Sequence, residues 1–281
     1  MDVDATAPER LVDLDRYPVL APDAVEYGRV VARGQAQLAA LGAAELSGFV
    51  SPAGVAALVA DAESLAPRAH RSGGRGTAYL EVPDASLPHG HPRLTWGDYA
   101  VGAVAYDVIP RSSPLRQLYE WSPMTRLIAD ILDRGALFPY ADPFGALNLA
   151  VMGEGDQLQW HFDQTDFVVS LAIQTASVGG HFEVAPRVRR PGDECYEQVG
   201  AVLAGDRSSV VTLSMAPGTL LLFEGRHSLH RVSPISGSTL RHVGLLAYDT
   251  KPGTVGSELL RLDRYGRSHA FAEPPATWPA A

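Results

Sequence analysis

The chain predicts a mainly β fold with flanking helices, and three observations carry that prediction. From Gly145 onward the sequence breaks into short apolar runs at close spacing: ALNLAVM, DFVVSLAIQ, GGHFEVA, VVTLSMA, GTLLLFEG, LHRVSPI and RHVGLLAYD. Glycine and proline separate them, which is the pattern of an antiparallel sandwich or barrel. Before that point the clear periodicities are helical. The 281 residues are 46% hydrophobic and 20% charged, ample for a globular core. One domain spanning 1–281 is expected, with 1–135 mostly helical and irregular and 136–267 forming the β core.

Taken in order, residues 1–22 form an irregular lead-in. Asp23 to Leu41 carries Val25, Val30, Val31, Leu38 and Leu41 at helical spacing and stops at Gly42, a C-terminal cap. In SPAGVAALVADAESL, Ser51 suits the N-cap and Pro52 the first helical position, so a helix runs from Pro52 to about Leu65. Residues 66–114 are rich in Gly, Pro and His, with strand-like pieces in TAYLEV and YAVGAVAYDVI. PLRQLYEWSPMTRLIADIL reads as helical over 114–132. Within the β region one insertion, PRVRRPGDECYEQVGAVLAGDRSS, holds a short helix around Glu194 to Leu203.

Charge and cysteine content exclude several classes. The net charge is -9 and the pI about 5.4. Nucleic acid needs a basic stripe, and an anionic lipid surface needs cations. A single cysteine, Cys195, rules out a disulfide framework or a cysteine-based metal site. No apolar run is long enough for a membrane span, and the acidic N-terminus lacks the apolar core of a secretory signal. A cytoplasmic protein is expected.

The chemistry is concentrated in WHFDQTDF. On a strand, residues i and i+2 share a face, so His161 and Asp163 project together while Trp160 and Phe162 turn away. An imidazole and a carboxylate so placed are two ligands of a divalent metal. The third is His230 in FEGRHSLHRVSP, with His227 in the preceding turn as its competitor. Two histidines and one carboxylate make the facial triad of non-haem Fe(II) oxygenases. Eleven residues after His230, Arg241 places a cation in an apolar strand, and a buried guanidinium needs an anion, best a bidentate carboxylate. H-x-D alone is weak, since such pairs are often surface residues. His89 and His91 sit in a Gly/Pro loop, and His181 and His242 read as core or supporting residues.

Together, H-x-D on a strand, a distal histidine and a later arginine resemble the Fe(II)/2-oxoglutarate-dependent oxygenases. Their core is a double-stranded β-helix of jelly-roll or cupin-like type. The closer resemblance is to the branch of free-amino-acid halogenases and hydroxylases of the lysine-halogenase type. It rests on ADPFGALNLAVM, WHFDQTDFVVSLAIQ, GGHFEVAP, GDRSSVVTL, PGTLLLFEGRHSLHRVSP and the closing RYGR, and covers residues 140–267. It implies Fe(II) on His161, Asp163 and His230, with 2-oxoglutarate held at its far carboxylate by Arg241. With O2 the co-substrate would be decarboxylated to succinate as a C–H bond is hydroxylated. Two departures matter. The halogenases of that branch carry glycine where this chain has Asp163, which points to a hydroxylase. Lysine-type members hold the amino acid with polar side chains where this chain has Leu245 and Ala247, which points away from lysine.

A small-molecule substrate, a free amino acid or related metabolite, is therefore expected, without nucleic acid or membrane partners and with room for a homodimer. Asn148, in a strand of small and apolar neighbours, and Gln164 and Asp166, just after the ligand pair, are the candidate substrate contacts. A satisfied core amide or a strand-end polar residue explains each equally well. The rival classes are a radical halogenase of the same fold, a cupin-type metal enzyme that is not an oxygenase, and a metal-free binding protein.

Overall fold

Alternation within the apolar runs decides which face of each strand is buried. The computed structural model, which describes residues 7–272, turns that alternation into two antiparallel sheets packed face to face. A one-turn helix α1 (Pro8–Leu11) and α2 (Val25–Leu41) precede β1 (Ala43–Leu46), and α3 (Pro52–Leu65) precedes β2 (His70–Thr77) and β3 (Trp96–Val104). Helices α4 (Pro114–Glu120) and α5 (Ser122–Ile131) follow. Next come β4 (Phe138–Pro139), β5 (Leu147–Met152), β6 (Leu158–His161), β7 (Val168–Gln174), β8 (Val178–Gly179) and β9 (Phe182–Ala185). The last part holds α6 (Tyr196–Leu203), β10 (Val211–Leu213), β11 (Leu220–Phe223), β12 (Leu229–Val232), β13 (Ile235–Ser236), β14 (Arg241–Leu246), β15 (Tyr248–Asp249) and α7 (Glu258–Tyr265).

The larger sheet runs β1-β11-β7-β14-β5-β3-β2 and the smaller β10-β9-β12-β6. Strands far apart in sequence thus alternate between two layers, the double-stranded β-helix that was expected. On β14, His242, Gly244 and Leu246 face outward, where Leu115 of α4 closes on Gly244. Val243 and Leu245 face inward and meet Val232 of β12 and Leu158 of β6, and Arg241 shares their parity.

Helices cover the outer face of the larger sheet. α2 buries Tyr27, Val30, Gly34 and Leu38 along one stripe and ends at Gly42, whose φ of 65° is left-handed. Gly34 lets Ile131 of α5 approach so closely that a Cβ there would stand 2.8 Å from it. The segment expected as one helix over 114–132 is two. Pro123 has no N–H to offer the Tyr119 carbonyl, the chain is extended at Trp121, and that carbonyl accepts instead from the Tyr248 hydroxyl at 3.0 Å.

The N-terminal half is less helical than expected. It supplies three strands of the larger sheet, β1, β2 and β3; β2 (HRSGGRGT) meets the expected strand-like TAYLEV only at Thr77, and residues 78–82 form no strand. The glycines and the exposure of β2 remove the alternation that marks a strand. Among the described residues, no helix is long and apolar enough to cross a membrane.

Ser51 accepts a hydrogen bond from the Gly54 N–H at 3.1 Å and caps α3. Ser51→Ala should cost about 1 kcal/mol and Ser51→Gly only a few tenths. For a chain of this size the alanine variant should melt about 2–4 °C lower. Equal melting points for wild type and Ser51→Ala would show that the cap contributes nothing.

Candidate metal centre

β6 and β12 are neighbours in the smaller sheet, and their register sets His161 directly opposite His230. The two rings lie with centroids 4.2 Å apart at 52°. Asp163 stands just beyond the end of β6, its N–H donating to the Gly225 carbonyl at 3.1 Å. Its carboxylate reaches to 3.9 Å from His161 Nε2 and 3.4 Å from His230 Nε2. Among the described residues this is the one His/Cys/Asp/Glu group able to converge on an ion, with all donor atoms within 4.8 Å of one another.

Each imidazole is fixed from behind. His161 Nδ1 lies 2.8 Å from the Gln159 carbonyl, and His230 Nδ1 lies 3.0 Å from that of Ser228. A proton on Nδ1, donated to the carbonyl, leaves Nε2 with a free lone pair turned to the centre. Burial, and then the neighbouring His230, pulls the His161 pKa down to about 4. That ring is neutral at pH 7 and ready to ligate. Phe223 and Phe182 pack against His230 at 4.8 and 5.5 Å between centroids. Two imidazole nitrogens and one carboxylate are the donor set that suits Fe(II), and the residues present fit that ion.

Arg241 is only 6% exposed, and among the described residues no carboxylate lies beside it; its one polar contact there is Nη1 to the Met152 sulfur at 3.7 Å. Burial pulls its pKa down to about 10, so it remains a cation at pH 7. An isolated buried charge is strongly unfavourable, and this one is held inside the roll with no charged partner among the described residues. Asn148 is likewise buried with its Oδ1 unpartnered, and lines a small pocket with Tyr140, Thr165, Phe167, Leu245 and Tyr248.

The other candidates are engaged elsewhere. The Gln164 amide donates to the Tyr79 carbonyl at 3.2 Å, and Asp166 pairs with Arg226 at 2.5 Å. Both side chains serve to pin the segment after the ligand pair. His227 lines a surface cleft with Arg134 and Arg187 and is absent from the metal group. His91 accepts from the Arg93 N–H and packs its ring on Tyr196, while His89 is exposed. His242 is fully buried on the helix side, as a core residue would be. His181, expected as a core or supporting residue, is exposed.

Sequence reasoning missed Gly225. A Cβ there would stand 1.8 Å from Asp163 Oδ2, so only glycine leaves the carboxylate its place. The glycine in FEGRH was visible, but nothing local tied it to residue 163.

Comparison with known proteins agrees with this architecture. The Halogenase D (HalD) family matches residues 97–255, more than half of the chain, and the chain belongs to that family. No curated protein sequence matches it. Among solved structures it is similar to an oxidoreductase of the 2OG-Fe(II) oxygenase family from Burkholderia pseudomallei. That match has 17% identity and a TM-score of 0.50, covering 80% of this chain and 92% of that one. AviO1 from Streptomyces viridochromogenes Tue57 matches with 19% identity and a TM-score of 0.51, over 79% and 93% of the two chains. The epimerase SnoN, solved in complex with Fe3+, alpha-ketoglutarate and nogalamycin RO, matches with 14% identity and a TM-score of 0.53, over 79% and 84%. At these identities the likeness is one of fold.

Gly225→Ala should force the Asp163 carboxylate out of the group while leaving both imidazoles in place. Mn(II) affinity, followed by calorimetry, should fall by about 10–100-fold, with cooperative unfolding retained. Wild-type affinity in this variant would show that Asp163 is not held where the structure holds it.

Proposed function

We propose that this chain is an Fe(II)/2-oxoglutarate-dependent dioxygenase that hydroxylates a C–H bond of a small, amino-acid-like metabolite. The observation that carries the reading is the Asp163 carboxylate, set between His161 Nε2 and His230 Nε2. When bound, iron with 2-oxoglutarate and O2 supplies an oxidant able to break an unactivated C–H bond, and the co-substrate leaves as succinate and carbon dioxide.

The residues divide that work. His161, Asp163 and His230 would hold the ion, two neutral donors and one anion, so that part of the metal's charge is offset by Asp163. Arg241 would pair with the far carboxylate of 2-oxoglutarate. A guanidinium matches a carboxylate through two parallel hydrogen bonds, and among the described residues no carboxylate competes for it. The inward-facing Val243, Ala150 and Val232 exclude water from the interior. Asn148 offers an unpartnered amide oxygen that suits an N–H or O–H donor of the substrate.

Membership of the Halogenase D family favours a second reading, a radical halogenase. Asp163 argues against it. The halogenases that this chain resembles carry glycine there, and a halide fills both the position and the charge deficit. Here a carboxylate supplies both. A cupin-type enzyme that is not an oxygenase would have no use for Arg241.

Product mass spectrometry at high chloride tests the assignment. Wild-type enzyme should give an oxygenated product, and Asp163→Gly should lose most of that activity. A chlorinated main product from wild type, or undiminished hydroxylation in Asp163→Ala, would overturn it.

Arg241→Leu removes the cation that the co-substrate needs, at a cost of about 2–5 kcal/mol if the pair is desolvated. The 2-oxoglutarate requirement for succinate formation should rise steeply while Mn(II) binding stays near wild type. An unchanged requirement would assign the co-substrate to another residue.

A further inference from the structure

The insertion between β9 and β10, which carries α6, also brings Arg189 against the segment that bears the metal group. Its guanidinium carbon lies 4.0 Å from the centre of the Phe162 ring, and Phe162 is the residue between His161 and Asp163. Its Nε donates to the Arg226 carbonyl at 2.6 Å, and its backbone N–H donates to the His227 carbonyl at 3.3 Å. Its Nη1 reaches Glu194 Oε2 at 3.1 Å, and Arg93 approaches the other oxygen of that carboxylate at 3.6 Å. One flat cation is thus held at its edge by two acceptors and on its face by an aromatic ring. A lysine ammonium, a point charge, cannot make all three contacts in the same way.

These contacts join two segments that must meet for Asp163 to reach the histidines. The ladder of β6 with β12 sets His161 and His230 opposite each other, and β6 ends at His161. Asp163 stands beyond the ladder and leans on the turn 224–227 instead. Its N–H donates to the Gly225 carbonyl at 3.1 Å, and its carboxylate occupies the space beside Gly225, where a Cβ would be 1.8 Å away. After Asp163, Arg226 ties the turn to Asp166 at 2.5 Å and to the Gln164 carbonyl. Before Asp163, the tie is Arg189, with one edge on the Arg226 carbonyl and its face on Phe162.

We infer that Arg189 is a positioning residue for the metal group, acting on Asp163 and not on the histidines. It sets how closely the turn 224–227 approaches Phe162, and so where the Asp163 carboxylate stands. The two imidazoles are fixed independently, by the ladder and by the Gln159 and Ser228 carbonyls at their Nδ1 atoms. The inference rests on reading His161, Asp163 and His230 as a metal group. It gives the insertion a task at the centre: the acidic partner Glu194 and the cation Arg189 both come from it.

The test titrates the full chain with Ni(II), followed by calorimetry, because imidazole nitrogens suit that ion and two of them can hold it without a carboxylate. Arg189→Met should weaken Ni(II) binding about 10–100-fold, the range for a residue that orients a ligand. In the Asp163→Ala background the same substitution should change the affinity by no more than about twofold. There the ligand through which Arg189 acts is already gone. Arg189→Lys, which keeps the charge and can still donate to the Arg226 carbonyl, should recover part of the loss. It also takes the place of Arg189→Met in the same comparison should that variant not fold cooperatively. Wild-type Ni(II) affinity in Arg189→Met would overturn the inference. So would an equal loss in both backgrounds, the outcome for a residue that only fastens the insertion to the sheet. Absence of Ni(II) binding by the wild-type chain would sink the metal group itself, a result separate from these.

Discussion

One backbone ladder, the pairing of β6 with β12, fixes the metal group on which the chemistry depends. It sets His161 opposite His230 on the inner face, and a slip of one residue would send an imidazole to the outer face. What prevents the slip is packing on that outer face. Trp160 lies beneath the Arg231 and Arg207 guanidiniums at 5.0 and 5.2 Å, and Phe162 packs on Tyr79 at 5.3 Å. Val199 and Val202 of α6 complete that cluster. The geometry of a polar centre inside the roll is thus specified by apolar contacts outside it. The ladder is also irregular: β6 carries one extra residue between His161 and Leu158 against β12. Such a bulge bends a strand and re-aims its side chains. A second one stands beside Arg241, where β7 carries an extra residue against His242 and Val243.

The interior holds its charges unevenly. His161 is held neutral by burial, while Arg241 stays a cation without a counter-ion. No described carboxylate of the protein settles that charge, and under the proposed function a carboxylate ligand would. The expense is carried in the free state by the surrounding sheet, which buries the arginine to 6% exposure. Gly180 sits so close that a Cβ there would be 3.1 Å from Arg241 Cδ. On the reading proposed above, selectivity for an anionic co-substrate would come from the ligand-free fold and need no rearrangement.

Local rules made much of the fold legible. Ser51-Pro52 and Gly42 marked helix ends because capping is written in one or two residues. The strands after Gly145 were legible because they alternate or are wholly apolar. β2 was not, because a strand of HRSGGRGT shows no burial pattern and becomes one only by pairing with β3. Helix α7 was also unmarked. Its Leu259, Leu260 and Leu262 are exposed, and it is held by ion pairs to Asp142 and Asp107, more than a hundred residues away. The same holds within the centre. His161, Asp163 and His230 could be chosen from spacing and residue type, but the space that Gly225 leaves is a fact of long-range packing.

Asp163 shows why chemistry at one position can vary without disturbing the rest. His161 closes β6, so its place is part of the ladder. Asp163 lies beyond the strand, and the backbone there is held by its N–H to the Gly225 carbonyl. That bond is available to any residue with an N–H. The buried residues next to the ligands in sequence, Phe162 and Leu229, pack together in an apolar cluster that does not include the carboxylate. A side chain at 163 is therefore free to change between aspartate and glycine at little cost to the fold, while the charge delivered to the centre changes by a full unit. The same backbone can present a complete triad or an open position. Membership of a family described by halogenation is compatible with a chain whose own residue at this position argues for hydroxylation.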